Sequence, residues 1–167
     1  MKKNQFKKYL LLALLLCVLN LGIAKESFLV DFSKNPPKGN LVFELGKGMS
    51  LEKEDGDFHL VFLKGGSSLK IYTPVSSLTS PKRIILRITG MASSFLTQDS
   101  WAPVEIIVNS KTLIKGFDFG TDFYITPSLN ISEFWVSGQT NVIEICLEKE
   151  ASGEFWVKKV EIVIYEK

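Results

Sequence analysis

Apolar and polar residues alternate along most of the chain after residue 24, and a period of two is typical of β-strands with one buried face. The alternation is clearest in residues 102–164, where strand, polar turn and strand recur in order. Ile106 and Val108 lie on one face of such a strand, and Ile143 and Ile145 lie on one face of another. Each strand therefore has an apolar face to bury, which favours two sheets packed together.

Turn residues interrupt this pattern at short intervals. Asp55-Gly56 and Gly65-Gly66 are typical of tight hairpins, and the double glycine lacks the spacing and the following helix of a phosphate-binding loop. About ten strands result, although residues 128–136 fit one helical turn as well as a strand. The pattern predicts an all-β protein, an antiparallel β-sandwich. Its main predicted strands are 28–32, 41–45, 58–63, 69–73, 83–90, 104–109, 112–119, 141–148 and 154–165.

The first 24 residues follow a different pattern. Four lysines come first, an apolar run extends from Tyr9 to Leu19, and Gly22-Ile23-Ala24 supplies small residues. This order is that of a secretory signal peptide, so residues 1–24 are predicted to be cleaved and residues 25–167 to form a single domain. The apolar run is too short to cross about 30 Å of hydrocarbon comfortably. The leucines before Cys17 disfavour a lipoprotein signal.

Cleavage changes the charge of the protein. The whole chain has a net charge of +2, but without the four leader lysines it has 16 basic and 18 acidic residues and a net charge of −2. No run of Lys or Arg is longer than two. Binding to nucleic acid is therefore not expected. The mature protein is expected to be secreted, periplasmic or on the cell surface, without a transmembrane segment.

Residues that often carry chemistry are few. Cys146 is the one cysteine left after cleavage, so no internal disulfide is expected, and we interpret it as an inert thiol beneath a neighbouring strand or loop. His59 is the only histidine and is expected to be a surface residue of a strand. Trp156 is assigned to the core. The carboxylates of residues 52–57 resemble a calcium cluster in composition, but a solvated hairpin tip is the preferred interpretation.

The C-terminal half resembles a known fold. A strand ends in Val108-Asn109, a return strand passes Gly116–Gly120, and Gly138–Ile145 follows the pattern Gly-x-x-Asn-x-Ile-x-Ile. Together with Phe155-Trp156-Val157, these residues are similar to the galactose-binding-like β-sandwich, or jelly roll, found in carbohydrate-binding modules and in the sugar-binding domains of glycoside hydrolases. The match covers about residues 83–165. Ser110 replaces the usual glycine after the asparagine, which a type I turn would tolerate.

The resemblance implies a fold rather than a ligand, because these residues form turns and core. It also allows one structural calcium ion, which Asp31 would hold together with Glu161 or Glu166. The residues themselves give no support for that ion. No cofactor is therefore assigned.

The segment 91–101 is the longest without periodicity, and long loops between strands are often functional. It contains Phe95, Gln98, Asp99 and Trp101. Proteins bind sugars by stacking aromatic rings on their C–H faces and hydrogen-bonding their hydroxyls. These four residues are therefore predicted to form a ligand site at one end of the sandwich. The alternative is that Trp101 and Phe95 close the end of the core.

Three functions are compatible with the sequence. The first is a secreted, non-catalytic module that binds carbohydrate through those loops. The second is an exported β-sandwich that contacts a protein partner and has no sugar site. The third is a hydrolase, which is disfavoured because neither a nucleophile–base pair nor paired catalytic carboxylates can be assigned.

Overall fold

A computed structural model describes residues 24–78, 81, 83–92, 101–121, 124–125 and 128–166. Two antiparallel sheets pack face to face, so the predicted β-sandwich is confirmed. No helix among these residues has the length and apolar character needed to cross a membrane. The strands are β1 (Ala24–Asp31), β2 (Lys38–Gly39), β3 (Val42–Leu45), β4 (Met49–Glu54), β5 (Asp57–Phe62), β6 (Ser68–Tyr72), β7 (Arg83–Ala92), β8 (Val104–Val108), β9 (Lys111–Phe117), β10 (Tyr124–Ile125), β11 (Leu129–Asn130), β12 (Val142–Leu147) and β13 (Phe155–Tyr165).

The larger sheet is organised around β13. Along one edge β13 pairs with β7, and along the other it pairs first with β5 and then with β1. The short strands β10 and β11 both pair with β7. In the same sheet, β2 pairs with β1 and β4 pairs with β5. Among the described residues, this sheet has eight strands.

The smaller sheet has five strands in the order β3-β6-β12-β8-β9. Its central strand β12 pairs with β6 on one side and β8 on the other. Ile145 lies opposite Leu69 and Ile106 in these two pairings, and all three side chains are fully buried. The inner faces predicted for Ile106 and Ile145 are therefore confirmed.

Alternation within β12 gives this sheet two different faces. Ile143, Ile145 and Leu147 are buried in the core between the sheets. Val142, Glu144 and Cys146 are partly exposed and point away from the core. The outer face of the smaller sheet is therefore accessible, and its side chains define the site described below.

One local prediction is wrong, and one pair of alternatives left open by the sequence is decided. The hairpin between β8 and β9 has positive φ at both central residues, 49° at Asn109 and 66° at Ser110, so it is not the type I turn expected for Ser110. Turns of this kind match the right-handed twist of paired strands. Residues 132–134 form a single 3-10 turn rather than a strand. Asn130 Oδ1 accepts hydrogen bonds from the backbone N–H and the hydroxyl of Ser132, which favours a turn.

Candidate functional site

The outer face of the smaller sheet carries two adjoining recesses, which together we call the sheet-face groove. Their volumes are about 480 Å³ and about 420 Å³, and Glu144 on β12 lines both. Each volume lies in the range of about 300–1,000 Å³ that is usual for small-molecule sites. The first, the Tyr72 recess, is lined by Lys70, Tyr72, Ile107, Asn109, Ser110, Val136, Gln139, Thr140, Val142 and Glu144.

The Tyr72 recess combines carbon-rich and polar surface. Tyr72 and Val142 are directly paired across β6 and β12, and Ile107 contributes from β8. The Tyr72 hydroxyl donates a hydrogen bond of 2.8 Å to Glu44 Oε2. This hydrogen bond, together with partial burial and the charge of Glu44, raises the pKa of Tyr72. The ring is therefore held at the sheet surface with its hydroxyl already engaged.

One wall of the recess is the segment 136–141, and buried Asn141 holds it in place. The Asn141 side chain donates to the carbonyls of Val136 (3.0 Å) and Gln139 (3.1 Å) and accepts from the N–H of Val136 (2.7 Å). Its Oδ1 also accepts a hydrogen bond of 2.7 Å from Asn109 Nδ2. Because these bonds close the segment on itself and tie it to the β8–β9 hairpin, the wall is a fixed part of the site.

The second recess, the charged recess, has a different lining. Its lining includes four glutamates and two lysines: Glu105, Glu144, Glu148, Glu150, Lys115 and Lys149. The Cys146 side chain forms part of the same lining. Burial and the nearby carboxylates of Glu144 and Glu105 raise the pKa of the Cys146 thiol to about 12. The thiol is therefore protonated at neutral pH. It is partly exposed in the recess, however, and is not covered by a neighbouring strand or loop as predicted.

Of the four residues predicted to form the loop site, the structure describes Trp101. Trp101 is 47% exposed. The backbone N–H of Trp101 donates a hydrogen bond to Ser152 Oγ (3.1 Å), and its backbone carbonyl accepts from the backbone N–H groups of Ser152 (2.9 Å) and Gly153 (3.1 Å). Phe95, Gln98 and Asp99 lie outside the described residues. The grouping of these side chains with Trp101 stays a prediction.

Met91 belongs to β7, although it was predicted to lie in this loop. Met91 and Ala92 pair with Trp156 and Phe155 of β13, and both are buried. Gly90, just before them, allows β13 to approach closely, because a Cβ there would meet the carbonyl oxygen of Trp156 at 2.8 Å and the ring of Phe155 at 2.9 Å.

His59 is not a surface residue, and that prediction is wrong. It is 3% exposed and stacks on Trp156, with 4.9 Å between ring centroids and 14° between ring planes. Trp156 itself is buried with Val61 and Met91 in a small cluster separate from the main core. Burial and then the charge of Lys158 lower the pKa of His59. A buried neutral imidazole stacked on indole is a packing element.

The acidic residues discussed for calcium have other partners. The Asp31 carboxylate accepts a hydrogen bond from the N–H of Ser33 (2.9 Å), and Glu161 forms an ion pair with Arg87 (3.4 Å). Within the described part of the chain, no group of three or more His, Cys, Asp or Glu side chains could hold a metal ion. Asp57, in the 52–57 hairpin, pairs with Lys158 at 3.2 Å.

The sheet-face groove is not among the sites predicted from the sequence. Its apolar residues occupy positions that the alternation assigns to solvent: Tyr72, Ile107 and Val142 each alternate with buried neighbours. Apolar residues on the polar side of three adjacent strands are the signal that would have located this surface. The order of the strands in the sheet is needed to recognise that they are adjacent.

No protein-family model and no curated protein sequence matches the chain. Among solved structures, it is similar to a family 35 carbohydrate-binding module from Clostridium thermocellum, with 13% identity, a TM-score of 0.50 and coverage of 83% of this chain and 98% of that one. An insecticidal crystal protein gives 9% identity, a TM-score of 0.52 and coverage of 82% and 21%. A family two carbohydrate esterase from Cellvibrio japonicus gives 10% identity, a TM-score of 0.49 and coverage of 84% and 35%.

The chain thus spans about a third of the esterase and about a fifth of the insecticidal protein. At these identities the similarity establishes the fold alone. The predicted fold, a β-sandwich like that of a carbohydrate-binding module, is confirmed.

Proposed function

We propose that this protein is an exported, non-catalytic carbohydrate-binding module that binds a glycan in the sheet-face groove. The observation that carries the proposal is the Tyr72 recess, where an anchored aromatic ring adjoins apolar side chains and polar groups in about 480 Å³. The similarity in fold to a family 35 carbohydrate-binding module supports the same function.

The chemistry of the recess suits a sugar. A pyranose ring has C–H faces that pack on aromatic and aliphatic surface and hydroxyls that need hydrogen-bond partners. Tyr72, Ile107 and Val142 supply the first kind of surface, and Gln139 and Glu144 supply polar groups beside it. Since the Tyr72 hydroxyl is bonded to Glu44, the ring position is set before a ligand arrives, which reduces the ordering cost of binding.

The loop of Phe95, Gln98, Asp99 and Trp101 is kept as a second proposed sugar site. Trp101 supports it because about half of its surface is exposed while its backbone is anchored to Ser152 and Gly153. An exposed indole on an anchored backbone is suited to stacking on a sugar ring. The two sites make different predictions about which aromatic residue binding requires.

Contact with a protein partner is the alternative function. Val42, opposite Tyr72 on β3, is 66% exposed, and Val136 at the groove wall is 43% exposed. Exposed apolar side chains beside a groove also occur at protein interfaces. This alternative predicts that no glycan binds the purified protein.

Glycan-array screening followed by calorimetry on Tyr72→Ala and Trp101→Ala tests these alternatives. Tyr72→Ala is expected to weaken binding by about tenfold or more, which corresponds to about 1.4 kcal/mol, with a small change in melting temperature. Tyr72→Phe is the matched control, because it keeps the ring and removes only the hydroxyl. Loss of binding in Trp101→Ala alone would place the site in the loop. A wild-type protein that binds no glycan would refute the proposal and favour the protein partner.

Export is tested separately. Because residues 1–24 have the order of a signal peptide, the mature protein is expected to begin at Lys25. N-terminal sequencing of the protein recovered from outside the cytoplasm checks this. An intact N-terminus, or a lipid on Cys17, would contradict it.

A further inference from the structure

The two recesses of the sheet-face groove are continuous along one strand. Glu144 lines both, the Tyr72 recess includes Val142, and the charged recess includes Cys146 and Glu148. The distance along the strand from residue 142 to residue 148 is about 20 Å, at about 3.3 Å for each residue. One sugar ring is much shorter than this, so a single monosaccharide fills only part of the groove.

The two ends of the groove differ in chemistry. Both recesses combine apolar and polar surface, but the Tyr72 recess has the aromatic ring, whereas the charged recess is lined by four Glu and two Lys residues. When one sugar ring of a glycan packs on Tyr72, the sugar units that follow it lie beside charged side chains that can form hydrogen bonds. This order suits a chain of linked sugars with free hydroxyls along its length.

The excess of carboxylates also bears on the charge of the ligand. Glu105 lies opposite Cys146 on the neighbouring strand β8, and Glu144 lies two residues before Cys146 on β12. After burial, their charges contribute to the raised pKa of the Cys146 thiol, while the charge of Lys70 lowers it. In the whole groove, four carboxylates outnumber the three ammonium groups of Lys70, Lys115 and Lys149, so the lining has an excess of negative charge. A chain of uronic acids would bring like charges to this position, which is unfavourable at low ionic strength.

We propose that the sheet-face groove binds a linear, uncharged oligosaccharide of several units, with one ring in the Tyr72 recess and the following units along β12 towards Glu148, and that it discriminates against polyuronates. This inference rests on the proposed carbohydrate-binding function and specifies its ligand class.

Calorimetry on the purified protein tests it with chain-length series. The probes are neutral cello-, xylo- and manno-oligosaccharides from one to six units, and galacturonic acid oligomers of the same lengths. Affinity for at least one neutral series is expected to rise about tenfold or more from the monosaccharide to the hexasaccharide. Galacturonate oligomers are expected to bind about tenfold more weakly than neutral oligomers of equal length, with a difference that shrinks in high salt.

The double variant Glu105→Gln, Glu150→Gln changes only the lining of the charged recess. It is expected to tighten binding of galacturonate oligomers severalfold and to leave the melting temperature unchanged. Glu144→Gln is the corresponding variant at the junction of the recesses. It is expected to weaken binding of the neutral oligosaccharides, since that residue lines both recesses.

The outcomes separate this inference from the proposed function. Equal affinity for monosaccharide and hexasaccharide would overturn the extended site while leaving a carbohydrate-binding protein. Galacturonate oligomers that bind as well as neutral ones would overturn the charge discrimination, again leaving the function intact. If no saccharide of either kind binds, the proposed function fails and this inference fails with it.

Discussion

The outer faces of the two sheets carry apolar residues in similar positions, but these residues differ in exposure between the two sheets. On the larger sheet, Val61 is fully buried, Trp156 is 8% exposed and Ile85 is 2% exposed. On the smaller sheet, Tyr72 and Ile107 are partly exposed and line a recess. The same pattern of apolar residues on the nominally polar side of strands thus produces a second packing cluster in one sheet and an accessible groove in the other.

Stacking and pairing explain the buried cluster. Trp156 lies opposite Val61 and Met91 in its two strand pairings, and His59 stacks on its ring. Its indole N–H donates a hydrogen bond of 3.0 Å to Glu154 Oε2. These neighbours leave Trp156 little accessible surface. In the smaller sheet, Tyr72 is held by one hydrogen bond to Glu44 and faces open space.

The largest predicted effect contrasts these two aromatic residues. Trp156→Ala is expected to lower the free energy of unfolding by about 3–5 kcal/mol, because it removes a large buried side chain. Tyr72→Ala is expected to cost about 1 kcal/mol, the typical contribution of one hydrogen bond. Urea unfolding followed by fluorescence measures both. Equal costs would mean that the two outer faces do not differ in packing.

The second prediction contrasts the two faces of one strand. Ile145→Ala is expected to cost about 2–5 kcal/mol, as does Ile106→Ala, because both residues are fully buried in the core. Glu144→Ala, one residue away on the outer face, is expected to change stability by less than about 0.5 kcal/mol. Thermal melting of the three variants checks this. Melting shifts near zero for both isoleucine variants would indicate that the register of β12 is displaced by one residue.

Much of the fold follows from local pattern. The alternation in residues 141–148 and the Asp55-Gly56 turn predict elements that the structure contains, because burial of one face and positive φ in a tight turn are properties of short segments. The boundary of β7 was missed, since Met91 and Ala92 are buried through pairing with a strand more than sixty residues later. Pairing between distant segments is not visible in local pattern.

The position of the groove and the burial of His59 could not be predicted for the same reason, because both depend on contacts between distant segments. His59 alternates as a surface residue would, and its burial depends on Trp156, which is distant in sequence. The groove requires β6, β12 and β8 to be neighbours, an order that does not follow the chain. The sequence therefore indicates an aromatic residue in a loop as the ligand site, whereas the two recesses described above lie on a sheet face.

The third prediction concerns pH and tests the buried cluster. The pKa of His59 is lowered in the folded protein, so the unfolded state binds its proton more readily. Stability is therefore complete above about pH 6.5, the usual value for histidine, and decreases as pH falls below it towards the folded pKa. Urea unfolding between pH 7 and pH 5.5 measures this effect. His59→Phe, which keeps a ring beside Trp156, is expected to remove this part of the pH dependence. A stability profile that is the same in the variant and the wild type would argue against a lowered pKa.

The smallest predicted effect lies at the rim of the open groove, in the turn between β8 and β9. Ser110 has a φ of 66°, a conformation that is unfavourable for residues with a Cβ. Ser110→Gly is expected to raise stability by about 0.5 kcal/mol, because relief of that strain exceeds the added flexibility of glycine in the unfolded chain. Asn109 has a similar φ of 49°, but its side chain bonds Phe134, Asn141 and Val142. Asn109→Gly is therefore expected to destabilise the protein despite the same relief of strain. Thermal melting of the two variants distinguishes backbone strain from side-chain anchoring at the groove, and a loss of stability in both would show that strain is not significant in this turn.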